Sequence, residues 1–440
     1  LLPIENNKPI IESSKTEYWQ SSKIGKGSGW KPFKRAENFW GQRSDIKPTE
    51  LVKIFNEIQS TKEKKKEIPQ FDNEWKFLGP KTKPIYNSLI GQTGLGRINV
   101  ITFDPKNPNI IWAGAATGGI WRSTNGGGLW ESFPLTQFMS IGISDIAVAR
   151  GSSTISPIIY AATGDADAAF GGINSYSIGV IKTTDFGKTW KITNFSSQID
   201  ERLLINRLLV DPNDENRVFA ATTRGLFLTE DGGATWDTLT NAYARDLEFV
   251  PNDNNRLWAA FVYGDGTNAY YGLFNVRIIP RDGKDSIQFF ASPLNYYYGD
   301  IIRMSIAVNP KHPGYVYVLS ANGEGRLHSV IYTPNGQNWY YLAQTLDRNI
   351  GAYVWDLLNA HSDIQDSVGN TNSQGFYDLC IVANPDNPMD VYIGGVNIWQ
   401  FMESSYSWRL HAYWTEKYKT QGIPYVHADH HLSLIHISEP

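Results

Sequence analysis

Short apolar segments, each with an aromatic residue near its centre, recur through the middle of the chain. They are IIWAG, IIYAA, VFAA, LWAA, VYVL and VYIG, and their aromatic residues are Trp112, Tyr160, Phe219, Trp258, Tyr317 and Tyr392. The intervals between successive aromatic residues are 48, 59, 39, 59 and 75 residues. Intervals of this size are typical of a repeated supersecondary unit of four strands. The pattern therefore predicts one buried strand in each repeat.

Turn-forming residues separate these strands from their neighbours. Most of the aromatic strands follow a proline turn: DPKNPN (104–109), DPNDEN (211–216), NPKHPG (309–314) and NPDNPM (384–389). Each repeat predicts a strand, a proline turn, the aromatic strand, a glycine-rich link, a third strand, a hairpin and a fourth strand. Four-stranded units repeated along a chain form a β-propeller. We predict an all-β, multi-bladed β-propeller over residues 73–431, with six blades visible and the ring incomplete at its C-terminal end.

The predicted hairpin contains a more specific motif. The segments STNGGGLW (123–130), TTDFGKTW (183–190) and TEDGGATW (229–236) align without gaps as Ser/Thr-x-Asp/Asn-x-Gly-x-x-Trp. The Asp or Asn side chain can accept backbone hydrogen bonds in a tight turn, Gly can take a positive φ, and Trp can pack beneath the turn. We predict a structural, non-catalytic role for the fixed positions, which are Ser123, Asn125, Gly127, Trp130, Thr183, Asp185, Gly187, Trp190, Thr229, Asp231, Gly233 and Trp236.

These motifs resemble the Asp-box (BNR-repeat) β-propeller superfamily, which includes sortilin-type receptor domains, bacterial sialidases and xyloglucan-cleaving endoglucanases. GLGRINVITFDP, GGIWRSTNGG, SIGVIKTTDFGKTW and QGFYDLCIVANP are most similar to large secreted bacterial surface proteins with sortilin-like propellers, often labelled glycosyl hydrolases. The resemblance covers roughly residues 75–431 and implies a secreted or cell-surface location. It is specific for the fold, whereas one fold serves many functions.

The two ends of the chain differ from the repeats. Residues 1–72 are polar, include the basic run KEKKK (62–66), and predict a partly helical leader segment whose charges face solvent. Because the chain starts at Leu1 without a methionine, we expect a fragment or a form that has lost its leader. Residues 432–440, LSLIHISEP, match the translation of a transposase sequencing adapter in register, so we treat them as an artefact.

A histidine-rich stretch precedes that tail. In an extended strand, His427, Asp429 and His431 would share one face and could form part of a zinc site. We favour a hydrogen-bonded loop at these positions, with no metal.

Composition and charge narrow the classes of partner. The 440 residues include 40 Lys and Arg against 44 Asp and Glu, and this balance does not indicate nucleic acid as a partner. The chain has no run of eighteen apolar residues, so we expect no transmembrane helix. Cys380 is the single cysteine, which excludes an internal disulfide, and we interpret it as a core residue.

Charged residues lie near the start of each predicted innermost strand, in GRINVITF, ISDIAVA, NRLLV, RDLEFV, IRMSIAV and YDLCIVA. Innermost strands surround the central channel of a propeller. We therefore expect a rim of guanidinium and carboxylate groups at the channel mouth, made by Arg97, Asp145, Arg207, Arg245, Asp246, Arg303 and Asp378. Either these groups hold the blades together by ion pairs, or they bind a ligand, and the sequence favours neither.

A polysaccharide fits such a mouth, because charged groups hydrogen-bond sugar hydroxyls and aromatic rings stack on sugar rings. FVYGDGTNAYYG (261–272) and NYYYGD (295–300) supply tyrosines, of which we select Tyr263 and Tyr297. If the protein is an enzyme, a pair of carboxylates would act as acid and base. The candidates are Asp145, Asp246 and Asp378, together with Asp165 or Asp167. Asp165 and Asp167, in TGDADAAFGG, are weak candidates for calcium ligands, and we predict no other cofactor.

Three functions remain, in order of preference. The first is a secreted or cell-surface propeller that binds polysaccharide or an extracellular protein at the channel mouth. The second is a glycoside hydrolase of the xyloglucanase kind, and the third is a sortilin-like peptide receptor. A sialidase is disfavoured, because Arg97 lies in GRIN and the Arg-Ile-Pro typical of sialidases is absent. Two carboxylates that face each other at about 5 to 10 Å would favour the hydrolase.

Overall fold

A computed structural model describes residues 97–133, 142–150, 157–166, 176–198, 201–264, 269–279, 286–291, 301–344, 346–347, 352–353, 356–360 and 373–426. Within these residues, six antiparallel sheets of four strands each form a ring. The predicted all-β, multi-bladed β-propeller is therefore confirmed, with six blades in the described part of the chain. The leader at 1–72, the tail at 432–440 and the histidines that precede it lie outside the described residues.

Each blade uses four consecutive strands. Blade 1 has β1 (Ile98–Asp104), β2 (Asn107–Ala115), β3 (Gly119–Ser123) and β4 (Glu131–Ser132). Blade 2 has β5 (Ile143–Val148), β6 (Ile159–Thr163), β7 (Gly179–Thr183) and β8 (Lys191–Ser196). Blade 3 has β9 (Ile205–Asp211), β10 (Asp214–Thr222), β11 (Gly225–Thr229) and β12 (Asp237–Thr240).

The second half of the ring follows the same order. Blade 4 has β13 (Tyr243–Val250), β14 (Asp253–Gly264), β15 (Ala269–Ile279) and β16 (Ser286–Ala291). Blade 5 has β17 (Ile301–Val308), β18 (Val316–Asn322), β19 (Leu327–Thr333) and β20 (Tyr340–Gln344). A small pair, β21 (Leu346–Asp347) and β22 (Ala352–Tyr353), precedes blade 6, which has β23 (Cys380–Ala383), β24 (Val391–Gly394), β25 (Ile398–Met402) and β26 (Ser407–Ala412). A 3₁₀ helix at Glu416–Gln421 follows.

The first strand of every blade is the innermost one, because β1, β5, β9, β13, β17 and β23 all line a single central cavity. Strands alternate in direction, so the starts of these inner strands share one face of the ring with the links between second and third strands. We call this the mouth face. The hairpins after the first and third strands lie on the opposite face, which we call the turn face.

Apolar side chains fill the space between successive blades. Four aromatic residues of the second strands are fully buried, namely Trp112, Tyr160, Phe219 and Tyr317. One cluster joins blades 1 and 2, and others join each later pair up to blades 5 and 6. Tyr160 also reaches across a boundary, since its hydroxyl donates to the Glu215 carbonyl of blade 3 at 2.9 Å. The sequence periodicity therefore reflects packing between blades.

The three Ser/Thr-x-Asp/Asn-x-Gly-x-x-Trp segments form hydrogen-bonded hairpins between third and fourth strands, so they lie on the turn face. In blade 3, Thr229 Oγ1 donates to Asp231 Oδ1 at 2.8 Å and accepts from the Gly233 amide at 2.8 Å. Burial acts to raise the pKa of Asp231, but hydrogen bonds led by those from Thr235 outweigh it and lower that pKa to about 2. These aspartates are far from the channel mouth and are occupied within their own turns.

The tryptophans of these hairpins differ in burial. Trp190 is 1% exposed and lies 6.3 Å from the Phe133 ring of blade 1, and Trp236 lies 5.0 Å from the Phe195 ring of blade 2. Trp130 is 37% exposed. Trp190 and Trp236 each contact an aromatic ring of the preceding blade, whereas Trp130 donates to the Gly127 carbonyl of its own turn at 3.0 Å.

Candidate functional site

The six inner strands enclose a central cavity of about 130 Å³. Every described blade contributes to its wall, from Val100 in blade 1 to Cys380 in blade 6. The charged and polar side chains of the wall are Asn99, Ser144, Asp145, Asn206, Arg207, Arg245, Asp246, Glu248, Arg303 and Ser305. The structure thus brings five of the seven predicted charged residues of the rim to one cavity.

One guanidinium and three carboxylates form the centre of this cavity, and we call them the Arg207 cluster. Arg207 Nη2 lies 2.5 Å from Glu248 Oε1, and Arg207 Nε lies 3.9 Å from Asp145 Oδ2 and 3.8 Å from Asp246 Oδ1. The Arg207 side chain is 30% exposed, whereas the three acidic side chains are 6% to 16% exposed. A single cation is therefore shared by acidic residues of blades 2 and 4.

The pKa values of all four groups in the Arg207 cluster are raised. Burial raises the pKa of Asp145, of Glu248 and of Asp246, the last to about 6, because the attraction of Arg207 offsets the loss of solvent only in part. Burial acts to lower the pKa of Arg207, but its three carboxylate neighbours outweigh it and raise that pKa. The guanidinium stays charged, and the cluster readily takes up a proton.

The raised pKa of Asp246 leads to a pH dependence of stability. Between the usual carboxyl pKa near 3.8 and about 6, the folded state binds more protons than the unfolded state, so stability falls as pH rises. Protonation of Asp246 contributes roughly 2 to 3 kcal/mol to the free energy of unfolding. The contribution is fully present below about pH 4 and disappears as the pH rises past 6. We expect urea unfolding to show that the free energy of unfolding of wild type, relative to that of Asp246→Asn, decreases from pH 4 to pH 7. If this difference in free energy of unfolding increased with pH, the proton would not be bound at Asp246.

Polar side chains near the mouth also join each blade to the next, in five hydrogen bonds that we call the seam bonds. In blades 2 and 4, Asp145 Oδ2 accepts from the Leu208 amide at 2.7 Å and Asp246 Oδ2 accepts from the Ile306 amide at 2.8 Å. The others are donated by Asn99 to Ile143 O at 3.0 Å, by Asn206 to Ala244 O at 2.7 Å and by Arg303 to Tyr377 O at 2.5 Å. Each runs from a side chain to the backbone of the following blade.

The candidate catalytic carboxylates are arranged unequally. Asp145 and Asp246 lie close to the same Arg207 nitrogen, at 3.9 Å and 3.8 Å, so these oxygens are at most about 8 Å apart, below the upper limit for glycosidases. Both oxygens of each carboxylate, however, accept a backbone N–H, since Oδ1 bonds Ile146 in one and Leu247 in the other at 2.9 Å. Asp378 is fully buried in blade 6 and does not line the cavity.

A second ionic group lies at the mouth where blades 1, 2 and 6 meet. Arg97 forms an ion pair with Asp165, and its guanidinium lies 5.0 Å from the centre of the Tyr377 ring. Asn99 Nδ2 donates to the other Asp165 oxygen at 3.2 Å. Asp165 thus faces two donors, and within the described ranges no group of three or more His, Cys, Asp or Glu side chains could hold a metal ion.

The remaining predicted residues are placed as follows. Arg245 donates to the Tyr243 hydroxyl at 2.8 Å, within its own strand β13. Tyr263 belongs to β14, but its side chain lies outside what the structure describes, and Tyr297 and Asp167 are outside the described residues altogether. No helix in the described part of the chain is long and apolar enough to span a membrane.

Sequence reasoning missed three residues that matter at the mouth. Glu248 lies two positions after Asp246 in the same strand, so alternation of side chains places both on one face. Asn99 and Asn206 occupy matching positions in GRINV and LINRL, and both bond the next blade. The alternation could have identified Glu248, whereas the asparagine contacts depend on how neighbouring blades align.

Comparisons with known proteins place the chain as follows. No protein-family profile matches it. Over 170 residues, 36% of this chain, it is 28% identical to a xyloglucanase from Paenibacillus sp., and the match spans only 16% of that protein. Among solved structures, it is similar to an ancestral GH74 enzyme, with 18% identity and a TM-score of 0.48 over 71% of this chain and 40% of the other. It is also similar to YCF48 from Cyanidioschyzon merolae, with 14% identity and a TM-score of 0.43 over 72% and 85% of the two chains.

Proposed function

We propose that this propeller is a secreted or cell-surface protein of the Asp-box kind that binds an extended, neutral polysaccharide at the channel mouth. The Arg207 cluster is the observation that supports the proposal most. Fixed carboxylates can accept hydrogen bonds from sugar hydroxyls, and the partly exposed guanidinium can donate to them. The partial sequence similarity to a xyloglucanase supports the same ligand class.

The balance of charge in the cluster favours a neutral polymer over an acidic one. Three carboxylates surround the Arg207 guanidinium, and Arg245 and Arg303 elsewhere in the wall make its acidic and basic side chains equal in number. An anionic sugar therefore gains no net attraction from the wall and meets three carboxylates in the cluster. Juxtaposed like charges are a strong means of rejecting a wrong ligand. Neutral hydroxyls can use both the donors and the acceptors.

Hydrolysis is the second candidate function, supported by the raised pKa of Asp246. A carboxyl group with a pKa of about 6 is suited to donate a proton as a general acid, and a second carboxylate, that of Asp145, contacts the same Arg207 nitrogen. Against this, both oxygens of each carboxylate already accept backbone hydrogen bonds, one of which joins neighbouring blades. Binding therefore ranks above cleavage.

We expect native affinity electrophoresis to show retardation by xyloglucan and by unsubstituted neutral β-glucan, but not by polygalacturonate. Ser305→Phe should weaken binding about tenfold or more, because Ser305 is half-buried in the cavity wall and the ring would fill the cavity. Ser144→Phe blocks the cavity from blade 2. The matched control is Ser405→Phe, at an exposed position in the hairpin between β25 and β26 on the turn face.

The outcomes separate the two functions. Wild-type protein that is not retarded by any neutral polymer would overturn the proposal. Release of new reducing ends by wild type, lost in Asp246→Asn while retardation persists, would show that hydrolysis is the function.

A further inference from the structure

We infer that Trp414 forms a second contact with the same polysaccharide, on the mouth face at the outer end of blade 6. This inference rests on the proposed function and adds the path that the polymer takes. Trp414 comes two residues after β26, the outermost strand of blade 6, and its residue surface is 40% exposed. An exposed tryptophan on a binding face commonly contributes much of the binding energy.

The position of Trp414 differs from that of the other exposed aromatic residues in the described ranges, which are Trp130, Phe289, Phe290, Tyr340, Tyr341 and Tyr406. Trp130 and Tyr406 lie in hairpins of the turn face, and Tyr340 and Tyr341 begin β20 at that same face. Phe289 and Phe290 lie within β16, on the side of blade 4. Fourth strands end at the mouth face, so Trp414 is the exposed aromatic residue of this set that lies there.

Hydrogen bonds hold the Trp414 side chain in place. Its Nε1 donates to the Ala360 carbonyl at 2.9 Å, and its backbone amide donates to Asn397 Oδ1 at 3.1 Å. Asn397 is fully buried and donates in turn to the Asn359 carbonyl at 3.1 Å. Because the single polar atom of the indole is already bonded, the ring offers a ligand only carbon surface. A ring fixed in advance also loses little conformational entropy on binding.

The distance from the cavity sets the minimum size of the ligand. The strands of blade 6 follow in the order β23, β24, β25 and β26, and neighbouring strands lie about 4.8 Å apart. The outermost strand, β26, is therefore about 14 Å outward from the inner strand that lines the cavity, and Trp414 follows it. Only a chain of several sugar units can contact both the Arg207 cluster and Trp414. The apolar faces of its pyranose rings suit an indole surface without free polar atoms.

Calorimetry with neutral β-glucan oligosaccharides, from the disaccharide to the octasaccharide, tests this inference. In wild type, affinity should rise once the chain is long enough to reach Trp414. In Trp414→Ala, the short oligosaccharides should bind as in wild type, and the long ones should bind about tenfold more weakly. Trp414→Phe keeps a ring without the N–H donor and should retain most of the affinity for long chains. This variant separates the ring surface from the hydrogen bond to Ala360.

Trp130→Ala is the matched control. Trp130 is 37% exposed and its Nε1 also donates to a backbone carbonyl, that of Gly127 at 3.0 Å, but it lies on the turn face. It should leave binding unchanged at every chain length. Equal losses for short and long chains in Trp414→Ala, or no loss for either, would overturn the inference and leave the proposed function intact. Wild type that binds none of the oligosaccharides and is not retarded by the polymers would instead overturn the proposed function.

Discussion

Replacing Arg207 with methionine is expected to lower the free energy of unfolding by about 3 to 5 kcal/mol near pH 8, because three largely buried carboxylates lose their shared cation. Methionine keeps an apolar stem of similar length, so the loss reflects charge more than volume. At pH 5 the loss should be smaller. Burial already raises the pKa of Asp145, Asp246 and Glu248, and the variant can take up protons at these groups in place of the missing cation. Urea unfolding at both pH values measures the two effects.

Arg409→Met provides the comparison for that experiment. Arg409 is exposed on the outermost strand of blade 6, where it donates to Gln400 Oε1 at 2.7 Å. Its loss should cost less than about 1 kcal/mol at either pH. Equal effects of the two substitutions would mean that the central carboxylates do not depend on Arg207, and the electrostatic account of the cavity would be wrong.

The second large effect concerns Gly179, the first residue of β7. Its φ is 113°, and a Cβ placed there would lie 2.0 Å from the Phe195 carbonyl oxygen and 2.7 Å from the Ser196 Cα of the neighbouring strand. These are backbone atoms, so β8 would have to move away. Gly179→Ala is expected to lower the free energy of unfolding by about 3 kcal/mol or more, from backbone strain and overpacking together. Chemical denaturation measures this loss directly.

Gly323→Ala is the matched control for Gly179→Ala. A Cβ at Gly323 would meet no atom within 4 Å, and its φ is not positive, so this substitution should change stability by less than about 0.5 kcal/mol. Gly225 begins β11 in the same way as Gly179, with a φ of 147° and only 2.2 Å from its Cβ position to the Thr240 carbonyl oxygen. A mild effect at Gly179 would imply that β8 can shift outward, and Gly225→Ala should then be mild as well.

The fold could be predicted from the sequence because its signals are local. In blades 1 to 5 the aromatic residue of the second strand, such as Tyr160 or Phe219, is buried for the same reason, namely contact with the next blade. The exposure of Trp130 could not be predicted in the same way. Its motif matches that of Trp190, which is buried against Phe133 of the preceding blade, a contact that the motif itself does not encode.

The candidate site is harder to predict from the sequence than the fold is. Asp145, Arg207 and Asp246, which the sequence groups by their charge at the starts of inner strands, line one cavity. Their partners depend on the alignment between blades, which no single repeat encodes. For this reason the strand pattern groups Asp378 with them, although Asp378 does not line the cavity. The pattern also does not identify Trp414, because the exposure of this residue depends on where the last strand ends.

The seam bonds give the ring a direction. In each of the five, the side chain belongs to the earlier blade and the backbone group belongs to the later one. A chain synthesised from its N-terminus folds its earlier parts first. Asn99 is thus in place before Ile143 is made, and Asp145 before Leu208. Each new blade meets a predecessor that already displays its hydrogen-bonding partner, so vectorial synthesis favours assembly of the blades in chain order over pairing of blades that are not adjacent.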